Sequence, residues 1–178
     1  LSTDQVKPPE KLVWTGSGKN PVALMRTSWE DPYAIYVTLK AGSPKVNHGH
    51  MDVGSFVMEA QGVRWAMDFG AQDYNSLEQK GVNLWSMTQN SQRWEVFRYN
   101  NLVHNTLTVN GQLQRVDGKA EIISSSADPA FMNAVTDMTT VYNDQLTASK
   151  RGIAIIEKKY VIVRDEVKPV AGNKTVRW

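Results

Sequence analysis

The clearest alternation of apolar and polar positions runs over residues 33–40. Tyr33, Ile35, Val37 and Leu39 fall on one side, and Ala34, Tyr36, Thr38 and Lys40 on the other. A repeat of two marks a strand with one buried face. Shorter runs of the same kind predict strands over 12–14 and 22–29, separated by a Gly/Ser/Asn/Pro loop at 15–21. Residues 55–60 and 63–68 read as a hairpin turning at Gln61-Gly62, with Asp68 closing the return strand. A strand over 101–109 is expected to carry His104, followed by Asn110-Gly111, the strongest short hairpin signal in the chain. Further strands are predicted over 118–125 and 134–142. A hairpin of 148–156 with 160–166 turns at 157–159, a Pro/Gly loop spans 167–173, and a last strand starts at 175–178. Residues 69–99 hold Tyr74, Trp85, Trp94 and Tyr99 among many polar residues and are expected to form a long loop with one or two strands. No stretch has the 3.6-residue repeat of an amphipathic helix. The expected fold is therefore all-β, a sandwich of stacked antiparallel sheets over residues 11–178, preceded by a linker over 1–10 that holds Pro8-Pro9.

Composition narrows the function classes. At 178 residues the chain fits one domain, and 41% hydrophobic content supplies a core. A net charge of +2 and a pI of about 8.8 are too mild to argue for nucleic acid and merely permit an acidic partner. No apolar run is long enough to span a membrane, and no signal peptide is visible. Leu1 is not a methionine, so the natural start is expected upstream. With no cysteine there is neither a disulfide nor a thiolate metal site. There is no glycine-rich phosphate loop opening a helix and no nucleophile elbow for a serine hydrolase.

Candidate chemistry gathers in one stretch, Asn47-His48-Gly49-His50-Met51-Asp52-Val53-Gly54-Ser55-Phe56, which holds two of the three histidines. Histidine titrates near neutrality and is the commonest metal ligand. His50, Asp68 and His104 together make a nitrogen and oxygen donor set that suits zinc, each placed at an expected strand end where sandwich loops gather. They can equally be read as a hydrogen-bonded core histidine, a strand-end cap and a loop histidine. His48 and His50 are read as facing opposite sides, one imidazole inward to a metal and the other into a cleft. There His48 would serve as a base or a charge-neutralising group, with Asn47 offering an amide hydrogen bond to a substrate oxygen. The six Trp and six Tyr could supply sugar-stacking platforms, although filling the sandwich core is the simpler use of any one of them.

The order of these motifs resembles the heparinase II/III-like polysaccharide lyases. It is carried by the histidine stretch, by Met67-Asp68-Phe69-Gly70 with Tyr74 beyond it, and by His104-Asn105-Thr106-Leu107-Thr108-Val109-Asn110-Gly111. The run 22–29 and the hairpin 151–165 support it, so the likeness covers about residues 14–165. The resemblance implies a larger enzyme with an N-terminal α/α toroid followed by a β-sandwich, of which this chain is the sandwich part. It implies β-elimination on uronate polysaccharides: the carboxylate is neutralised, the C5 proton is removed and the C4 oxygen leaves. Carried over by residue, it makes His48 the active-site histidine beside Asn47, has Tyr74 lining the cleft, and makes His50, Asp68 and His104 ligands of a structural zinc ion. The toroid would contribute a catalytic tyrosine and further groups, so the sandwich alone is expected to bind metal and be inactive. An acidic polysaccharide partner and a periplasmic or secreted location follow from the same resemblance. Heparin, heparan sulfate and alginate all remain open as substrates. The rival reading is a non-catalytic carbohydrate-binding or structural sandwich in which the histidine site only staples the fold.

Overall fold

The computed structural model describes residues 6–178. Of the expected linker 1–10, residues 1–5 lie outside the described residues, and 6–10 contain no strand or helix. The first sheet has five antiparallel strands in sequence order: β1 (Val13–Gly16), β2 (Val22–Arg26), β3 (Tyr36–Lys40), β4 (Phe56–Ala60) and β5 (Val63–Ala66). A short helix, α1 (Tyr74–Glu78), and the two-residue strand β6 (Thr108–Val109) follow. The second sheet is built from β7 (Glu121–Ser126), β8 (Phe131–Asp137), β9 (Leu146–Ile156) and β10 (Tyr160–Pro169), in the order β10-β9-β8-β7. A final strand, β11 (Val176–Arg177), pairs with β6.

The period-two pattern decides which faces meet. Ala23 and Met25 of β2, Val37 and Leu39 of β3 and Phe56 of β4 pack against Met132 and Ala134 of β8 and Ile153 and Ile155 of β9. This is the two-sheet core expected from alternating strands. The turns obey local chemistry. Gln61-Gly62 and Asn110-Gly111 take positive φ at both residues, as do Glu157 and Lys158 between β9 and β10.

Several expectations are corrected, among them the strand over 134–142, which ends at Asp137 and gives way to a 3-10 turn over Thr139–Tyr142, and the strand over 33–40, which begins at Tyr36 and leaves Tyr33 as an exposed turn residue. The stretch 101–109 is a strand only at Thr108–Val109, and residues 101–106 are turns and bends. The Asn101 side chain bonds the Leu107 and Gln112 carbonyls and receives the Gln114 amide, while the Asn100 oxygen receives the Leu102 amide. Such side-chain bonds replace a strand ladder. Residues 69–99 form no strand: they contain α1, capped by the Asp73 side chain, a 3-10 turn Gln92–Glu95, capped by the Ser91 side chain, and a second 3-10 turn, Phe97–Tyr99. This segment folds around its own cluster of Met51, Leu84, Trp94, Tyr99 and Val116. Finally, β5 ends at Ala66, with a bulge at Met58/Glu59, so Asp68 lies just beyond the strand instead of closing it. Among the described residues no helix is long and apolar enough to cross a membrane.

Candidate functional site

The loop between β3 and β4 carries the histidine stretch, and its backbone leaves little freedom. His48 has φ +60°, a left-handed conformation uncommon for a non-glycine residue. A Cβ on Gly49 would lie 2.4 Å from the Pro44 carbonyl oxygen and 2.8 Å from that of Val46, so only glycine fits there. The Met51 amide donates to the Tyr99 carbonyl at 2.9 Å, and Lys40 forms an ion pair with Asp52. Backbone strain held by its surroundings in this way is a common mark of working loops.

Two groups of side chains result. In the first, His48 and Tyr74 are stacked with ring centroids 5.5 Å apart, and His48 Nδ1 lies 3.1 Å from Tyr74 Oη. Tyr74 is the first residue of α1, whose capping residue Asp73 accepts the Ser76 amide at 2.7 Å. Trp85, exposed to solvent, stands edge-on to both rings, at 6.0 Å from His48 and 5.6 Å from Tyr74, and its indole N–H donates to Glu78 Oε1 at 2.8 Å. Behind them is Arg93, which donates to Tyr74 Oη and to the Gly49 carbonyl. Asn47 is exposed on the same loop.

In the second group, His104 is buried and its Nδ1 lies 2.6 Å from Asp68 Oδ2. Asp68 Oδ1 also accepts the Gly70 amide at 2.8 Å. The bond from His104 holds the Asp68 carboxyl below its usual range. His50 lies with its ring centroid 4.5 Å from Tyr99 and 5.6 Å from His104. Burial lowers its pKa from 6.5 to about 4, against the pull of Asp52, so it is neutral at pH 7. Asp68 therefore reaches His104 directly, and His50 approaches through its contact with His104. The neighbouring Asn105 ties the surrounding strands by donating to the Phe56 and Met67 carbonyls, both at 2.9 Å.

Among the described residues no three His, Cys, Asp or Glu side chains are already gathered closely enough to enclose a metal ion. The chemistry of the trio nonetheless fits one. His104 Nε2 is buried with no hydrogen-bond partner, His50 is held neutral and Asp68 is held ionised. Metal ligands must be in these deprotonated states.

All six residues singled out in the sequence thus fall in one region, divided into a His48–Tyr74 pair with Asn47 nearby and a His50–His104–Asp68 group. Sequence reasoning missed Arg93 and the position of Trp85. The only signal for Arg93 was its neighbour Trp94, because nothing local marks an arginine as buried.

The Heparinase II/III-like, C-terminal family matches residues 24–178. Among solved structures, the heparan sulfate lyase HepC from Pedobacter heparinus is similar at 22% identity and a TM-score of 0.70, over 94% of this chain and 24% of that one. The heparinase III BT4657 gene product is similar at 20% identity and a TM-score of 0.68, over 92% of this chain and 23% of that one. This chain therefore spans about a quarter of the length of the solved structures it matches. No curated protein matches it by sequence. With the family match extending from β2 to the last residue, the chain belongs to the heparinase II/III-like family as its C-terminal β-sandwich domain.

Proposed function

We propose that this domain supplies one wall of the active site of a polysaccharide lyase that cleaves a uronate-containing polysaccharide by β-elimination. The observation that carries the reading is the contact of His48 Nδ1 with Tyr74 Oη at 3.1 Å, on an exposed, strained loop end. An imidazole and a phenol side by side can neutralise a carboxylate and exchange protons with a carbon acid and its leaving oxygen. Asn47 offers an amide beside them. The family membership and the likeness to heparan sulfate lyases support a sulfated or carboxylated glycan as substrate. A periplasmic or secreted location would suit such a substrate.

In the same reading, His50, His104 and Asp68 hold a zinc ion whose contribution is to stiffen the loops behind His48. His50 and His104 would offer neutral imidazole nitrogens, with Asp68 as the carboxylate of the group. The rest of the catalytic machinery would come from the N-terminal α/α toroid of the whole enzyme.

The test is an elimination assay of the whole protein on heparan sulfate, heparin and alginate, following the ultraviolet absorbance of the unsaturated uronate product. His48→Ala and Tyr74→Phe should each lower the rate about 100-fold or more. Full activity in both variants would sink this assignment. Glycan binding with no elimination by the whole protein would favour the carbohydrate-binding reading instead.

A further inference from the structure

Arg93 is buried, with 1% of its surface exposed, yet none of its hydrogen bonds reaches a carboxylate. Its Nε and Nη2 donate to the Gly49 carbonyl at 3.2 and 2.9 Å, its Nη1 to the Leu84 carbonyl at 3.2 Å, and its Nη2 also to Tyr74 Oη at 3.2 Å. The guanidinium lies 4.6 Å from the centre of the Tyr99 ring, where cation–π attraction adds to those bonds. Burying a charge without a counter-charge carries a desolvation penalty that hydrogen bonds to neutral groups only partly offset. A neutral side chain would fill this position at lower cost, so the retained cation calls for a role.

The hydroxyl of Tyr74 has one proton and two lone pairs, and a guanidinium can only donate. Arg93 therefore occupies a lone pair of Tyr74 Oη. The other neighbour of that oxygen is His48 Nδ1 at 3.1 Å. Were Nδ1 protonated, the hydroxyl would accept twice and its own proton would have no partner among the described residues. With Nδ1 unprotonated, the hydroxyl donates to it while accepting from Arg93, so both of its protein contacts are satisfied and the exposed Nε2–H is left for solvent or substrate. We infer that Arg93 is a positioning residue: by donating to Tyr74 Oη it directs the tyrosine proton onto His48 Nδ1, so that neutral His48 carries its hydrogen on Nε2. This rests on the reading of His48 and Tyr74 as the substrate-facing pair, and adds that His48 meets the substrate as an N–H donor, suited to a carboxylate oxygen. The same guanidinium fixes the Gly49 peptide between His48 and His50, so one buried side chain anchors the pair and its loop.

The test is nitrogen NMR of the whole protein labelled with 15N-histidine, with His48→Gln assigning the signal. The expected result is an unprotonated Nδ1 and a protonated Nε2 on neutral His48, with Tyr74→Phe and Arg93→Lys each giving a mixture of tautomers. Tyr74→Phe removes one hydroxyl and decides the matter even if Arg93→Lys does not fold. A protonated Nδ1 in the unaltered protein, or an unchanged tautomer in Tyr74→Phe, overturns the inference. In the elimination assay, Arg93→Lys should lower kcat about tenfold with KM held within about twofold. The Arg93→Lys/Tyr74→Phe double variant should lose less than the product of the two single losses, since only the hold on Gly49 acts without the tyrosine hydroxyl, and fully multiplicative losses overturn the inference. An unaltered protein that eliminates no uronate overturns the proposed lyase, while the tautomer still decides the role of Arg93.

Discussion

Arg151 and Asp165 are register partners across β9 and β10, and the guanidinium meets both carboxylate oxygens at 2.8 Å. Arg151 lies on the inward face of β9, in line with Ile153 and Ile155, and is fully buried. Its remaining amino group donates to the Gly54 carbonyl at 2.8 Å and the Asn105 carbonyl at 2.7 Å. Those carbonyls belong to the loops that carry His50 and His104. One ion pair in the sandwich interior thus ties together the two loops that build the metal-type group. Replacing Arg151 by Met would strand a carboxylate and two carbonyls. The expected loss is about 3–5 kcal/mol in chemical denaturation, the cost typical of removing one partner of a buried pair. A loss below about 1 kcal/mol would show that the staple is dispensable.

Zinc binding should appear as metal content and stability together. His50→Ala and His104→Ala should each lose bound zinc and lower Tm, whereas His48→Ala should change neither, since its ring meets Tyr74 and Trp85 instead. A metal bound only by the native state stabilises it by about 2.7 kcal/mol at a free concentration ~100-fold above Kd. Plasma mass spectrometry beside thermal melts checks this, and loss of zinc on His48→Ala would refute the division of the site.

Acid should destabilise the chelator-treated protein in two windows. His50 has a folded pKa of about 4 against an ordinary 6.5, so on acidification the unfolded chain takes up this proton first. Stability therefore falls as the pH drops from about 6.5 to about 4. Asp68 is depressed below 3.8, so its contribution is present above that value and is lost as the pH falls further, through its folded pKa. Melting curves in the presence of a chelator should show both losses. His50→Gln should abolish its own share of the upper one, and an unchanged pH profile in that variant would count against a buried neutral His50.

Gly49→Ala tests whether the loop is as tightly held as its contacts indicate. The new methyl would meet the Pro44 and Val46 carbonyl oxygens, which are backbone and cannot rotate away. A loss of roughly 1–3 kcal/mol is expected, together with weaker zinc binding. An unperturbed Tm would mean that the 44–49 turn can relax.

Much of the fold was legible locally. The phase of β3, the hairpin turns at Gln61-Gly62 and Glu157-Lys158 and the pairing of β9 with β10 all follow from period-two burial and turn chemistry. The failures share a cause. Residues 69–99 and 101–106 are shaped by side chains of Asp73, Asn83, Ser91, Asn100 and Asn101 bonding nearby backbone, which no hydrophobic period reports.

The sequence by itself determined that this is an antiparallel β-sandwich, and it named the six residues of the candidate site through the histidine stretch, the Met67–Gly70 segment, the His104–Gly111 segment and Tyr74. Those properties are carried by short-range pattern and residue identity. Tertiary structure decided the rest: Asp68 reaches His104 first, Tyr74 closes on His48, and two buried arginines hold the loops in place. Arg93 and Arg151 look like any surface cation in the sequence. They become anchors because folding removes water from around them and leaves backbone carbonyls, a phenol and one carboxylate as their partners.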